Sequence, residues 1–98
     1  PCVAILTYVY DHHRRQLSTR LTDLQHEHHE LTVSTMHAHL DHDHCVEAVI
    51  LRGRTAAVRE FAQSLITQPG VSHGQLHLVP MTLQHEHGHP HLVPAIIR

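Results

Sequence analysis

The sequence predicts an α+β fold of the ferredoxin-like (ACT-like) type, β-α-β-β-α-β, an antiparallel sheet with two helices on one face. Three observations point there. Runs rich in β-branched residues recur at 3–10, 31–40, 45–52 and 71–79. Segments with helical apolar spacing fall after the first and third of these runs. The second and third runs are separated by a short polar turn, which makes them a hairpin.

The elements follow in order. VAILTYVY (3–10) is a strand. In DHHRRQLSTRLTDLQHEHH, Leu17, Leu21 and Leu24 recur at helical spacing, Arg14, Arg15 and Arg20 take the wet face, and Asp11 is the expected N-cap. LTVSTMHAHL (31–40) alternates, with Leu31, Val33, Thr35, His37 and His39 on one face. Asp41-His42-Asp43-His44 is a turn, CVEAVILR (45–52) the next strand, and Gly53 ends it. Residues 54–68 set Ala57, Val58, Phe61, Ala62, Leu65 and Ile66 on an amphipathic helix, which Pro69-Gly70 stops. VSHGQLHLV (71–79) is the last strand. The folded domain is thus expected over 1–80. MTLQHEHGHPHLVPAIIR (81–98) holds two prolines, a glycine and four histidines within 85–91, and reads as a mobile, His-rich tail that chelates metal loosely.

At 98 residues the chain buries one modest core, so association would help its stability. No apolar run approaches a membrane span and no signal peptide is visible. With two cysteines, Cys2 and Cys45, a cytoplasmic, reduced setting is expected. Lys and Arg total 7 and are scattered, so DNA contact would need another segment. The chain starts at Pro1, as a fragment would. The outlier is histidine, 15 residues, and imidazole is the commonest transition-metal ligand.

Two of these histidines have a defined geometry. His37 and His39 are two apart on one strand, so their side chains leave the same face. A five-residue loop, 40–44, sets His39 opposite Cys45 and His37 opposite Glu47, with opposed Cβ atoms roughly 5 Å apart. A one-residue slip would send Cys45 to the other face. Two imidazoles and a thiolate leave one position open. His26, His28 and His29 end the first helix, at the far end of the second strand from His39, so a symmetric partner is better placed to supply a fourth ligand. The donor set suits Zn(II), Cu(II) or Ni(II), and planar coordination would favour Ni(II) or Cu(II). Glu47 is placed to accept a hydrogen bond from a ligand imidazole, and Tyr10 to wall the site. His42 and His44 read as exposed turn residues, His73 and His77 as surface histidines or a low-affinity site, and Cys2 as a bland terminal thiol.

QHEHHELTVSTMHAHLDHDHCVEAVILRG (25–53), with VAILTYVYDHHRR and FAQSLITQPGVSHGQLHLVP, resembles the C-terminal domain of the NikR family of nickel-responsive repressors, from about Val3 to Pro80. The resemblance implies a square-planar Ni(II) site, one per subunit, formed by His37, His39 and Cys45 with His26 of a neighbouring subunit, and supported by Glu47. It implies a homotetramer with nickel at its interfaces. A second cation site would take backbone oxygens of Ile66, Gln68 and Val71 together with carboxylates of an N-terminal domain. That domain, a ribbon-helix-helix DNA-binding unit, is absent from this sequence, so DNA would be reached only through it. The expected function is nickel sensing that couples to operator binding and represses nickel uptake. The alternative is a standalone nickel or transition-metal buffer or chaperone. A small-molecule regulatory domain of the ACT type leaves the H-x-H-x5-C array unexplained. An enzyme is not expected, because no nucleophile–base pair stands outside the metal array.

Overall fold

The computed structural model describes residues 1–86 and 88–96. The elements are β1 (Cys2–Asp11), α1 (Arg15–Glu27), β2 (Thr32–His39), β3 (His44–Gly53), α2 (Thr55–Ile66), β4 (Val71–Glu86) and β5 (His89–Pro94). All pairings are antiparallel, in the order β2-β3-β1-β4-β5. The first four strands and two helices are the expected ferredoxin-like arrangement.

Alternation along the central strands produces the two layers. Cys2, Ala4, Leu6 and Tyr8 of β1 are buried, as are Val49 and Leu51 of β3. They meet Leu17 and Leu21 of α1 and Val58, Phe61, Ala62 and Leu65 of α2 in a single core. Both helices therefore lie on one face. Each fully buried leucine or valine is worth about 1.5–3 kcal/mol relative to exposure. Among the described residues the opposite face has no cover. Ile5 and Ile50, paired across β1 and β3, are 42% and 39% exposed, and Met36 of β2 is 74% exposed. From Val33 to His39 every β2 residue is exposed, because β2 is an edge strand lacking a second layer outside it.

Two expectations are corrected. Asp11 does not cap α1. It closes β1, and its carboxylate accepts the His13 N–H at 2.9 Å, so the chain runs on to Arg14 at the N-cap, which makes no side-chain capping bond. Nor does the sheet end at residue 79. β4 continues without interruption to Glu86, and β5 folds back along it with Met81 opposite Pro94 and Leu83 opposite Leu92. The segment expected to be a mobile, His-rich tail is thus a β-hairpin over its described residues. Its alternation of leucine, valine and histidine suits a strand ladder, and Pro90 and Pro94 are tolerated because β5 is an edge.

Candidate metal centre

The β2–β3 hairpin has the register expected from its loop length. His39 pairs with Cys45, and His37 with Glu47. On the other side of β3, Tyr10 pairs with Cys45 and Tyr8 with Glu47. Cys45 is held from both sides on an interior strand and is 1% exposed. His39 is on the exposed edge, with its Nδ1 3.3 Å from the Cys45 Sγ. The His37 ring stands edge-on to that of His39, with centroids 6.1 Å apart. The hairpin therefore collects two imidazoles and one thiol on the helix-covered face, at the open end of that layer.

A residue outside the expected set joins His39 and Cys45, while His37, on the same face, stands outside that close group among the described residues. His12, just beyond β1, brings its ring to 5.1 Å from that of His39. Ligand atoms of His12, His39 and Cys45 all lie within 4.8 Å of one another. The cause is register: Asp11 pairs with His44, so whatever follows β1 lies against the hairpin loop. The signal, Asp11-His12-His13 after a strand, was present in the sequence, but using it required knowing that β1 and β3 are neighbours.

His26 is exposed in the last turn of α1, and it is not among the grouped ligand atoms of the described residues. The end of α1 is nevertheless closer to the hairpin than strand length alone suggested. Gln25 reaches both Thr35 of β2 and Glu47 of β3. Glu47 is 8% exposed, and its carboxylate is bonded to the Tyr8 and Tyr10 hydroxyls and to this amide: Gln25 Nε2 donates to Glu47 Oε1 at 3.0 Å and to the Tyr8 hydroxyl at 3.3 Å. Ile66, Gln68 and Val71 lie together around the α2–β4 turn, where the Gln68 carbonyl accepts the Val71 N–H at 3.1 Å.

The electrostatics suit a latent thiolate. Burial, and then the Glu47 carboxylate, push the Cys45 thiol above its ordinary range, while a hydrogen bond with Tyr10 works the other way. Burial and Glu47 likewise push Tyr10 up to about 12, so it stays a neutral donor. Tyr8 is pushed higher still by the same two causes. In the loop, Asp41 accepts the Asp43 and His44 N–H groups and pairs with the His44 ring at 3.0 Å, which lowers the carboxyl and raises the imidazole. Nitrogen donors beside one sulfur fit Ni(II), Cu(II) or Zn(II).

Among described residues no helix is long and apolar enough to cross a membrane. The fold resembles that of an uncharacterized protein from Thermotoga maritima, with a TM-score of 0.65 at 18% identity, covering 80% of this chain and 94% of that one. In sequence, the chain is 50% identical over 90 residues to a putative nickel-responsive regulator of Rhizobium rhizogenes, and 47% identical over 90 residues to a nickel-responsive regulator of Edwardsiella ictaluri. Both alignments cover 92% of this chain, but only 59% and 62% of those relatives, so the chain spans about six-tenths of their length. The family described as the NikR C terminal nickel binding domain matches residues 3–79, from the first strand through the HxH…C hairpin to the end of the four-stranded core, and the chain belongs to that family.

Proposed function

We propose that this chain is the nickel-sensing and assembly part of a transcriptional repressor of nickel uptake, not an enzyme. The carrying observation is the His39–Cys45 contact of 3.3 Å in a hairpin register that puts His37 on the same face. His37, His39 and Cys45 hold one Ni(II) per chain, and His26 of a second copy completes the set. Glu47, anchored by Gln25 and Tyr8, stiffens β3 beside His37. The uncovered apolar face with Ile5, Ile50 and Met36 supports self-association, which we take to be a homotetramer.

When bound, nickel supplies a strong link between two copies. The chain's own residues set its selectivity and its coupling. Cys45 gives up its proton at Sγ, which the raised thiol makes a requirement of tight binding. His39 offers Nδ1 toward the sulfur, so its remaining proton belongs on Nε2. The link favours the subunit arrangement in which both copies contribute, and it can shift that equilibrium only by its differential affinity for the two states. A DNA-binding ribbon-helix-helix domain outside this sequence would read the shift as operator affinity, in a cytoplasmic setting. The backbone oxygens of Ile66, Gln68 and Val71 are proposed to serve a second cation shared with that domain. The printed names of the relatives, nickel-responsive regulators, support this reading.

Calorimetric titration with Ni(II) tests it. One tight site per chain is expected, and Cys45→Ala should remove it. An affinity unchanged by Cys45→Ala refutes the proposal. Tight nickel binding by a chain that stays monomeric would favour the buffer or chaperone reading instead.

A further inference from the structure

Beside the thiol-centred cluster, the described residues bring together a second set of donors. Ligand atoms of His13, His42 and Asp43 lie within 4.8 Å of one another, and all three residues are exposed. They come from two loops, one after β1 and one between β2 and β3. Backbone ties hold those loops together: the His12 N–H donates to the Asp43 carbonyl at 2.9 Å. The Nε2 atoms of His12 and His13 lie 2.7 and 3.0 Å from the His42 carbonyl oxygen. His13 Nε2 is also 3.4 Å from Asp43 Oδ1, and the His13 and His42 ring centroids are 5.2 Å apart.

We propose that His13, His42 and Asp43 form a second, sulfur-free surface site for a divalent transition-metal ion. Two imidazoles and a carboxylate suit Ni(II), Zn(II) or Co(II), with water filling the remaining positions. Asp41 and His44, though in the same loop, are paired with each other and take no part. Without a thiolate and without burial, the site binds more weakly than one containing Cys45. It shares no residue with the His37–His39–Cys45 set, so it stands or falls separately. The His12 ring lies between the two, 4.2 Å from that of His13 and 5.1 Å from that of His39.

Titration of the full chain with Ni(II), followed by NMR of the histidine rings, tests this. Planar nickel bound to thiolate is diamagnetic, whereas nickel in an aquated nitrogen–oxygen shell is paramagnetic and broadens nearby signals. Once the thiolate charge-transfer band has saturated, the rings of His13 and His42, with that of His12 beside them, should broaden before any other histidine. They should broaden equally in Cys45→Ala, where the band is lost. His42→Ala with Asp43→Asn, both exposed loop substitutions, should raise the nickel needed for broadening of His13 by at least the ~10–100-fold that even indirect metal partners are worth. The charge-transfer band should not change in that variant. Broadening first at His89 and His91 with His13 still sharp, or a double variant that titrates like the parent, overturns the proposal.

Discussion

Gln25→Leu is the substitution that most directly probes how the hairpin is supported. Gln25 is half-buried and makes three side-chain bonds, donating to Glu47 at 3.0 Å and Tyr8 at 3.3 Å and accepting from Thr35 at 3.1 Å. An ionised carboxylate only accepts, so the amide nitrogen must face Glu47, which fixes the orientation of the whole side chain. The Thr35 hydroxyl is exposed, and water replaces the lost bond at little cost. The Tyr8 bond is long and worth under about 1 kcal/mol. The bond to Glu47 dominates, since a hydrogen bond to a charged group contributes about 1.5–3 kcal/mol and its loss leaves a carboxylate that is 8% exposed with only the Tyr8 and Tyr10 hydroxyls bonded to it. The expected destabilisation is about 2–3 kcal/mol, or roughly 10–20 °C in Tm for a domain of this size. Urea denaturation of the metal-free protein at fixed concentration should show a lower midpoint with an unchanged slope. In a Glu47→Gln background, where there is no charge for the amide to support, the same substitution should cost less than half as much. A loss below about 0.5 kcal/mol, or an equal loss in both backgrounds, would refute the argument that Gln25 carries the charge of Glu47.

Two further outcomes are expected. Because burial holds the Cys45 thiol above its usual range, the thiol is protonated near neutral pH, and each nickel bound there should release one proton from it. The logarithm of the apparent nickel affinity should therefore rise by about one unit per pH unit between roughly pH 7 and 8, measured by titration in buffers of different ionisation enthalpy; a flat profile would mean that sulfur is not a ligand. Met36→Lys places a charge on the uncovered face at a side chain that is 74% exposed in the single chain. It should leave the chain folded but lower the assembly mass seen by light scattering, since an unpaired charge buried at an interface costs several kcal/mol; an unchanged mass removes this face as the contact.

The parts of the fold that depend on local pattern were legible. Alternation in 31–40 and 45–52, plus the loop length, gave the hairpin register, and this alone put His37, His39, Cys45 and Glu47 on one face. The leucine spacing in α1 identified Leu17 and Leu21 as core. What was not legible depends on contacts distant in sequence. His12 joins the cluster only because β1 lies beside β3. Glu47 lies opposite His37 as expected, but the Gln25 amide that also reaches it comes from the packing of α1 across the sheet. The β4–β5 hairpin was missed because its prolines and histidines resemble a solvated tail, while the apolar partners Leu83 and Leu92, directly opposed, supply a pattern that shows only once the strands are paired.

The residues proposed to hold nickel are not equally anchored. Cys45 belongs to β3, flanked by β2 and β1, whereas His37 and His39 belong to the outermost strand, exposed along nearly its whole length. Peripheral strands open by local fluctuation at far lower free energy than interior ones. Fraying of β2 can thus lift both imidazoles away while the sulfur stays in place. The speed at which such a centre lets go of its ion is then governed by how readily one border strand peels, rather than by unfolding of the whole, and any neighbour that clamps that border slows the escape.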